Sequence, residues 1–144
     1  MLVNASHCDA PPGRTTLQDR MRSPNLLASF RFAWQGIAYA FKTQRNFKIH
    51  TAIAALIIIL GAGVSLSVEE WAIVCVTMAL VLVTELLNTA LEAVVDHVSP
   101  EFHAFAKIAK DCAAGAVLVA ALMAVAVGLL LIGPRILAVT IARP

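Results

Sequence analysis

The chain has 144 residues, 60% of them hydrophobic and only 14% charged, with a mean hydropathy of +0.82. A water-soluble domain of this size keeps more charge on its surface, so the composition points to a single small integral membrane domain. The net charge of +2 is too small to indicate a nucleic-acid partner, and Cys8, Cys75 and Cys112 show neither metal nor disulfide spacing. Cys75 and Cys112 stand in apolar helical sequence and are expected as small buried thiols.

Residues 1–22 carry Pro11-Pro12-Gly13 and scattered polar residues without apolar periodicity. This is the composition of a flexible tail, without the apolar core of a signal peptide. Ser23-Pro24 then suits a helix opening, a side-chain cap followed by proline in the first turn. Leu26, Phe30, Ala33, Trp34, Ile37 and Phe41 recur at helical spacing, with Arg31, Gln35 and Lys42 largely opposite them. The pattern predicts a surface helix over residues 24–42, lying in the membrane interface with Trp34 and Tyr39 at headgroup level.

Residues 42–50 form a short basic junction containing Arg45, Lys48 and His50. A first span is expected over residues 49–66, closing with Gly61-Ala62-Gly63, glycines that allow close helix packing. Residues 65–70 read as a tight polar turn holding Glu69 and Glu70, and Trp71 as the interface marker where the second span, residues 71–96, begins. A polar connection over residues 97–110 contains Ser99-Pro100, read as a cap and first turn, and the histidines His97 and His103, read as solvated. The third span covers residues 111–132, opens with Ala113-Ala114-Gly115-Ala116 and is ended by Gly133-Pro134; residues 135–144 form a C-terminal tail. The core domain is thus residues 23–134.

Lysines and arginines set the orientation. Seven precede the first span, none lie in the first turn, two lie in the second connection and two follow the third span. The N-terminus and the 97–110 connection are therefore expected on the cytoplasmic side of a bacterial inner membrane, with Arg135 and Arg143 the outnumbered exceptions.

The second span carries the chemistry. Successive helical residues are about 100° apart, which puts Glu85, Asn88, Glu92 and Asp96 on one stripe roughly 80° wide. With Trp71 at the outer edge of a ~30 Å hydrocarbon core, Glu85 lies about 9 Å short of the inner edge, Glu92 near it and Asp96 beyond it. Acids at that depth need a partner or a task. The stripe joins cytoplasmic water to the acyl region, where a charged soluble substrate meets a lipid headgroup. Lys110-Asp111 stands at the cytoplasmic mouth of the third span, and Arg45 and Lys48 at that of the first. Carboxylates able to hold Mg²⁺ beside basic groups are the parts phosphoryl transfer requires. Glu85 is placed to take a proton from a lipid hydroxyl as general base. A non-enzymatic channel or proton pathway also uses intramembrane acids, and these residues alone leave it open. Thr77 and Thr84 are expected to bond the backbone of their own helix. The chain has no G-x-x-x-x-G-K-[ST] loop and no G-x-G-x-x-G turn, so no familiar phosphate cradle is present.

Glu85-Leu86-Leu87-Asn88-Thr89-Ala90-Leu91-Glu92-Ala93-Val94-Val95-Asp96, followed by Ala109-Lys110-Asp111, resembles the motif of the small bacterial diacylglycerol kinases, a family that includes the undecaprenol kinases. The resemblance covers roughly residues 29–132. Arg45-Asn46-Phe47-Lys48-Ile49-His50 looks more like the undecaprenol-kinase branch. The resemblance implies an all-α integral membrane fold, one amphipathic surface helix plus three transmembrane helices, assembled as a homotrimer with active sites shared between chains. It implies ATP and Mg²⁺ as cosubstrate and cofactor, and a membrane lipid alcohol as acceptor. Carried over residue by residue, it implies Glu85 as general base with Asn88 beside it, Glu92 as metal ligand, and Asp96, Lys110 and Asp111 around the nucleotide. One position departs: the family often has a second metal-binding glutamate where this chain has Gln44, whose amide oxygen can ligate Mg²⁺ but brings no charge.

Overall fold

The computed structural model describes residues 25–141, and every regular element among them is a helix. They are α1 (Leu26–Thr43), α2 (Arg45–Gly63), α3 (Val68–Val98), α4 (Ala104–Leu131) and α5 (Gly133–Ile141). The tail expected over residues 1–22 and the Ser23-Pro24 cap lie outside the described residues. At the first described turn of α1, Asn25 Oδ1 accepts from the Ala28 N–H at 2.8 Å. Contacts divide the chain between residues 36 and 37. In the first unit α1 exposes Leu26, Leu27, Phe30 and Trp34, and the Arg31 guanidinium lies 5.5 Å from the Phe32 ring centre.

The second unit begins with the end of α1. Phe41 meets the buried Phe47 edge-on, with ring centres 6.5 Å apart. Between them Gln44, extended at φ −93° and ψ 116°, is the N-cap of α2 and makes no capping bond with its side chain. At the other end of α2 the chain turns through Ser65, which holds a positive φ of 55°. The Leu66 N–H donates to the Gly61 carbonyl and the Val64 N–H to that of Leu60, so the last turn of α2 is closed by a left-handed residue as glycine usually closes it. Ser67 then starts α3 with a capping box: the Glu70 N–H donates to Ser67 Oγ, and the Ser67 N–H to Glu70 Oε2 at 2.7 Å.

The core sits at this end of the unit. Leu66, Val74 and Ile132 are buried together, with Trp71, Leu60 and Met78 packed on them. Gly61 fits closely there: a Cβ would stand 2.9 Å from Leu66 Cδ1 and 3.0 Å from Trp71 Cη2, so those side chains would have to shift. Trp71 is therefore packed between helices as well as standing at the start of α3. Gly63 and Gly115 have open space at the Cβ position, so neither is a site of close packing within the chain. Arg135 fastens the same end. Its Nη1 donates to the carbonyls of Val64 and Ser65, and its Nη2 to both carboxylate oxygens of Glu70 at 2.9 and 2.7 Å. The segment expected as a tail from residue 135 thus contains α5 and an ion pair that ties it to the α2–α3 turn.

At the opposite end the polar connection is shorter than its composition suggested. Helix α3 runs on to Val98, and Ser99, expected to open the next helix, is its C-cap, with its hydroxyl donating to the Glu101 carbonyl. Helix α4 starts at Ala104, seven residues before the expected span, because His103 Nδ1 accepts from the Phe105 N–H and Lys107 pairs with Asp111 one turn on. His103 therefore caps a helix, whereas His97 is exposed as expected.

Three stretches are long and apolar enough to cross a membrane: Arg45–Gly63, Val68–Val98 and Ala104–Ala138. Helix α3 packs chiefly on α4 and less on α2. Large apolar side chains such as Leu87, Leu129 and Leu130 are more than 60% exposed, as a surface solvated by lipid allows. Cys75 and Cys112, expected as buried thiols, are both exposed: a helix with apolar residues all round shows no periodicity that marks its inner face.

Candidate active site

Helix α3 packs along α4 with its polar stripe turned inward. Glu85 is buried at 2% exposure, Asn88 is buried and Glu92 half-buried. Their 85–88–92 spacing on one helix face places all three on one cleft of about 350 Å³. Asn46 and His50 of α2 and Ala114, Val117 and Ala121 of α4 complete its walls. The small side chains on α4 leave the room that the acids occupy.

Within the cleft, Asn88 Nδ2 donates to Glu92 Oε1 at 3.2 Å. Glu85 Oε2 and Asn88 Oδ1 are buried without a hydrogen-bond partner. Each such atom costs about 1–3 kcal/mol, more when charged, and marks a place for an outside ligand. The backbone offers no competing use for these groups: the Thr89 hydroxyl satisfies the Glu85 carbonyl at 2.9 Å, and Thr77 and Thr84 bond back to their own helix.

The other candidates do not line the cleft. Asp96 pairs with Lys110 across the α3–α4 connection at 2.9 Å, and Asp111 pairs with Lys107. Both pairs are exposed and screened by solvent, so these groups exchange partners at little cost. Gln44 is half-buried at the α1–α2 junction and is not among the residues lining the cleft. Arg45 and Lys48 are exposed and do not line it either. Asn46 and His50, which do, belong to the segment that the sequence marks only as a basic junction; their i, i+4 spacing with Ile49 between them was the available signal.

Among the described residues no cluster of three or more His, Cys, Asp or Glu side chains is arranged to hold a metal by itself. Mg²⁺ does not need one, since it commonly takes one or two carboxylates and completes its shell with water and phosphate oxygens. Glu92, oriented by Asn88, fits that requirement.

The model of the prokaryotic diacylglycerol kinase family matches residues 31–132. The chain is 52% identical over 120 residues to a diacylglycerol kinase of Synechocystis, covering 83% of this chain and 69% of the relative. It is 43% identical over 108 residues to the undecaprenol kinase of Bacillus subtilis, covering 75% and 88%. It is 29% identical over 94 residues to the diacylglycerol kinase of Escherichia coli K12, covering 65% and 77%. The match takes in α2, α3 and α4 and with them the whole cleft. This chain belongs to the prokaryotic diacylglycerol kinase family.

Proposed function

We propose that the protein is a lipid kinase, transferring the γ-phosphoryl group of ATP to the hydroxyl of a membrane lipid alcohol, undecaprenol or diacylglycerol. The observation that carries this reading is the buried Glu85, whose Oε2 lies without a partner beside the equally unpartnered Asn88 Oδ1. Family membership supports it, and gives none to the channel or proton-pathway alternative.

Glu85 accepts the proton of the lipid hydroxyl as that oxygen attacks the γ-phosphorus and the bond to the ADP oxygen breaks. Asn88 holds the Glu92 carboxylate by its 3.2 Å hydrogen bond and turns its own oxygen toward the hydroxyl. Mg²⁺, when bound at Glu92, neutralises charge on the phosphate oxygens. Asp96, Lys110 and Asp111 sit at the mouth, where Lys110 can leave Asp96 for a phosphate. Gln44 is the second candidate metal ligand on the grounds of the family pattern.

We place the mouth at the cytoplasmic face of an inner membrane, with α1 in the interface. Arg135 counts against this orientation whether or not Glu70 pairs with it, because the bias counts lysines and arginines. It is outnumbered by those of the N-terminal segment and the 97–110 connection. We also propose a homotrimer with shared sites: three long helices leave the cleft open on one side, and the chain lacks a phosphate-binding loop.

Purified protein, labelled ATP and each lipid alcohol in turn test the reading. Phosphate transfer to either alcohol is expected. A folded protein that transfers none while carrying ions across vesicles would establish the channel alternative.

A further inference from the structure

A second cavity of about 390 Å³ continues from the cleft, sharing His50 and Ala121 with it. It runs between α2, α3 and α4 toward Ile132 and Ile136. Its lining is almost entirely aliphatic. The Thr77 hydroxyl in its wall is already bonded to the Ile73 carbonyl at 2.7 Å, so His50, at the cleft end, is the one polar side chain in the wall with no such bond. Val81 lines it one turn from Glu85 on the same face of α3, so the apolar wall leads directly to the buried carboxylate. Its far end abuts the buried core through Ile132, close in sequence to Arg135, which bonds the α2–α3 turn.

We infer that this groove holds the hydrocarbon tail of the lipid acceptor, and that its depth along α4 at Ala124 and Gly128 sets the tail length accepted. The inference rests on the lipid-kinase reading above. A groove whose one free polar side chain stands at its cleft end can hold alkyl or isoprenoid chain along the rest of its length without stranding a donor or acceptor. A groove open to a buried base holds that chain with its hydroxyl at Glu85. A rise of about 1.5 Å per residue sets Ala124, Gly128 and Ile132 at roughly 4.5, 10 and 16 Å beyond Ala121. A Cβ at Gly128 would meet no atom within 4 Å, so the wall is open there and a side chain can be added.

The test measures turnover by the parent protein, Ala124→Leu and Gly128→Leu with two acceptor series, diacylglycerols from hexanoyl to oleoyl and isoprenoid alcohols from farnesol to undecaprenol. A methylene kept out of the groove stays in the bilayer, which is as apolar as the groove, so the loss comes from the tail's clash with the new leucine, which holds the hydroxyl back from Glu85. Both variants should therefore keep the shortest acceptors and lose at least about tenfold in kcat/KM on the longest. The cut-off should come at a shorter tail for Ala124→Leu, which lies nearer the cleft. Equal losses on short and long acceptors, or an unchanged length profile, overturn the inference while leaving the kinase reading intact. Dissociated subunits in both variants would give the groove to a helix of a second copy and overturn it as well. A parent protein inert toward every alcohol would remove the kinase reading and this inference together.

Discussion

Glu85 carries the sharpest residue-scale expectation. Its carboxylate is buried and one oxygen has no partner within the chain, the kind of group that a catalytic role accounts for. Glu85→Gln keeps the shape and removes the base, so turnover should fall by about 10²-fold or more. Assembly on a sizing column should be unchanged; near-normal turnover in the assembled variant would take Glu85 out of the base role. Gln44 is subtler. It occupies the N-cap of α2 without using its amide to cap, so capping does not explain that side chain. If it completes the Mg²⁺ shell, Gln44→Glu should lower the free Mg²⁺ giving half-maximal activity, because hard cations favour charged oxygen ligands, and Gln44→Ala should raise it. Three superimposable Mg²⁺ titrations at fixed ATP would end the metal-ligand assignment.

At the scale of elements, the α2–α3 turn concentrates strain and its relief in a few residues. Ser65 closes α2 in a left-handed conformation that costs a non-glycine residue about 1–2 kcal/mol. Ser65→Gly removes that cost and adds unfolded-chain entropy, so a net stabilisation of about 0.5–1 kcal/mol is expected. Unfolding in a denaturing detergent series measures it. Gly61→Ala should do the reverse by about 1–3 kcal/mol, since its Cβ would meet buried Leu66 and the ring of Trp71. Unchanged stability of Gly61→Ala would show that Trp71 moves aside freely.

The whole molecule raises the question of how many chains make a site. Glu85 lies deep on α3, whereas Lys110 lies at the mouth of α4 and holds Asp96. If one site takes these two residues from different subunits, mixing Glu85→Gln with Lys110→Ala chains should restore part of the activity that neither variant has alone. Complementation in verified mixed oligomers, read against each variant by itself, decides the point; no recovery would assign both residues to the same chain.

How much of this was legible beforehand follows from what local sequence can encode. Length and apolarity marked three helices suited to spanning, and helical spacing put Glu85, Asn88 and Glu92 on one stripe, because both depend on residues within a few turns of one another. The long motif from Glu85 to Asp96 marked the family for the same reason. The start of α4 was hidden because the deciding partner is a capping side chain at a non-obvious position, His103, ahead of the expected span. The exposure of Cys75 and Cys112 was hidden because an all-round apolar helix has no periodicity to read. Asn46 and His50 enter the cleft only once α2 is set beside α3, and Arg135 reaches Glu70 across 65 positions of chain. The groove beyond the cleft is of the same kind. It is made by the spacing between three helices, a distance that no stretch of sequence carries and that packing alone fixes.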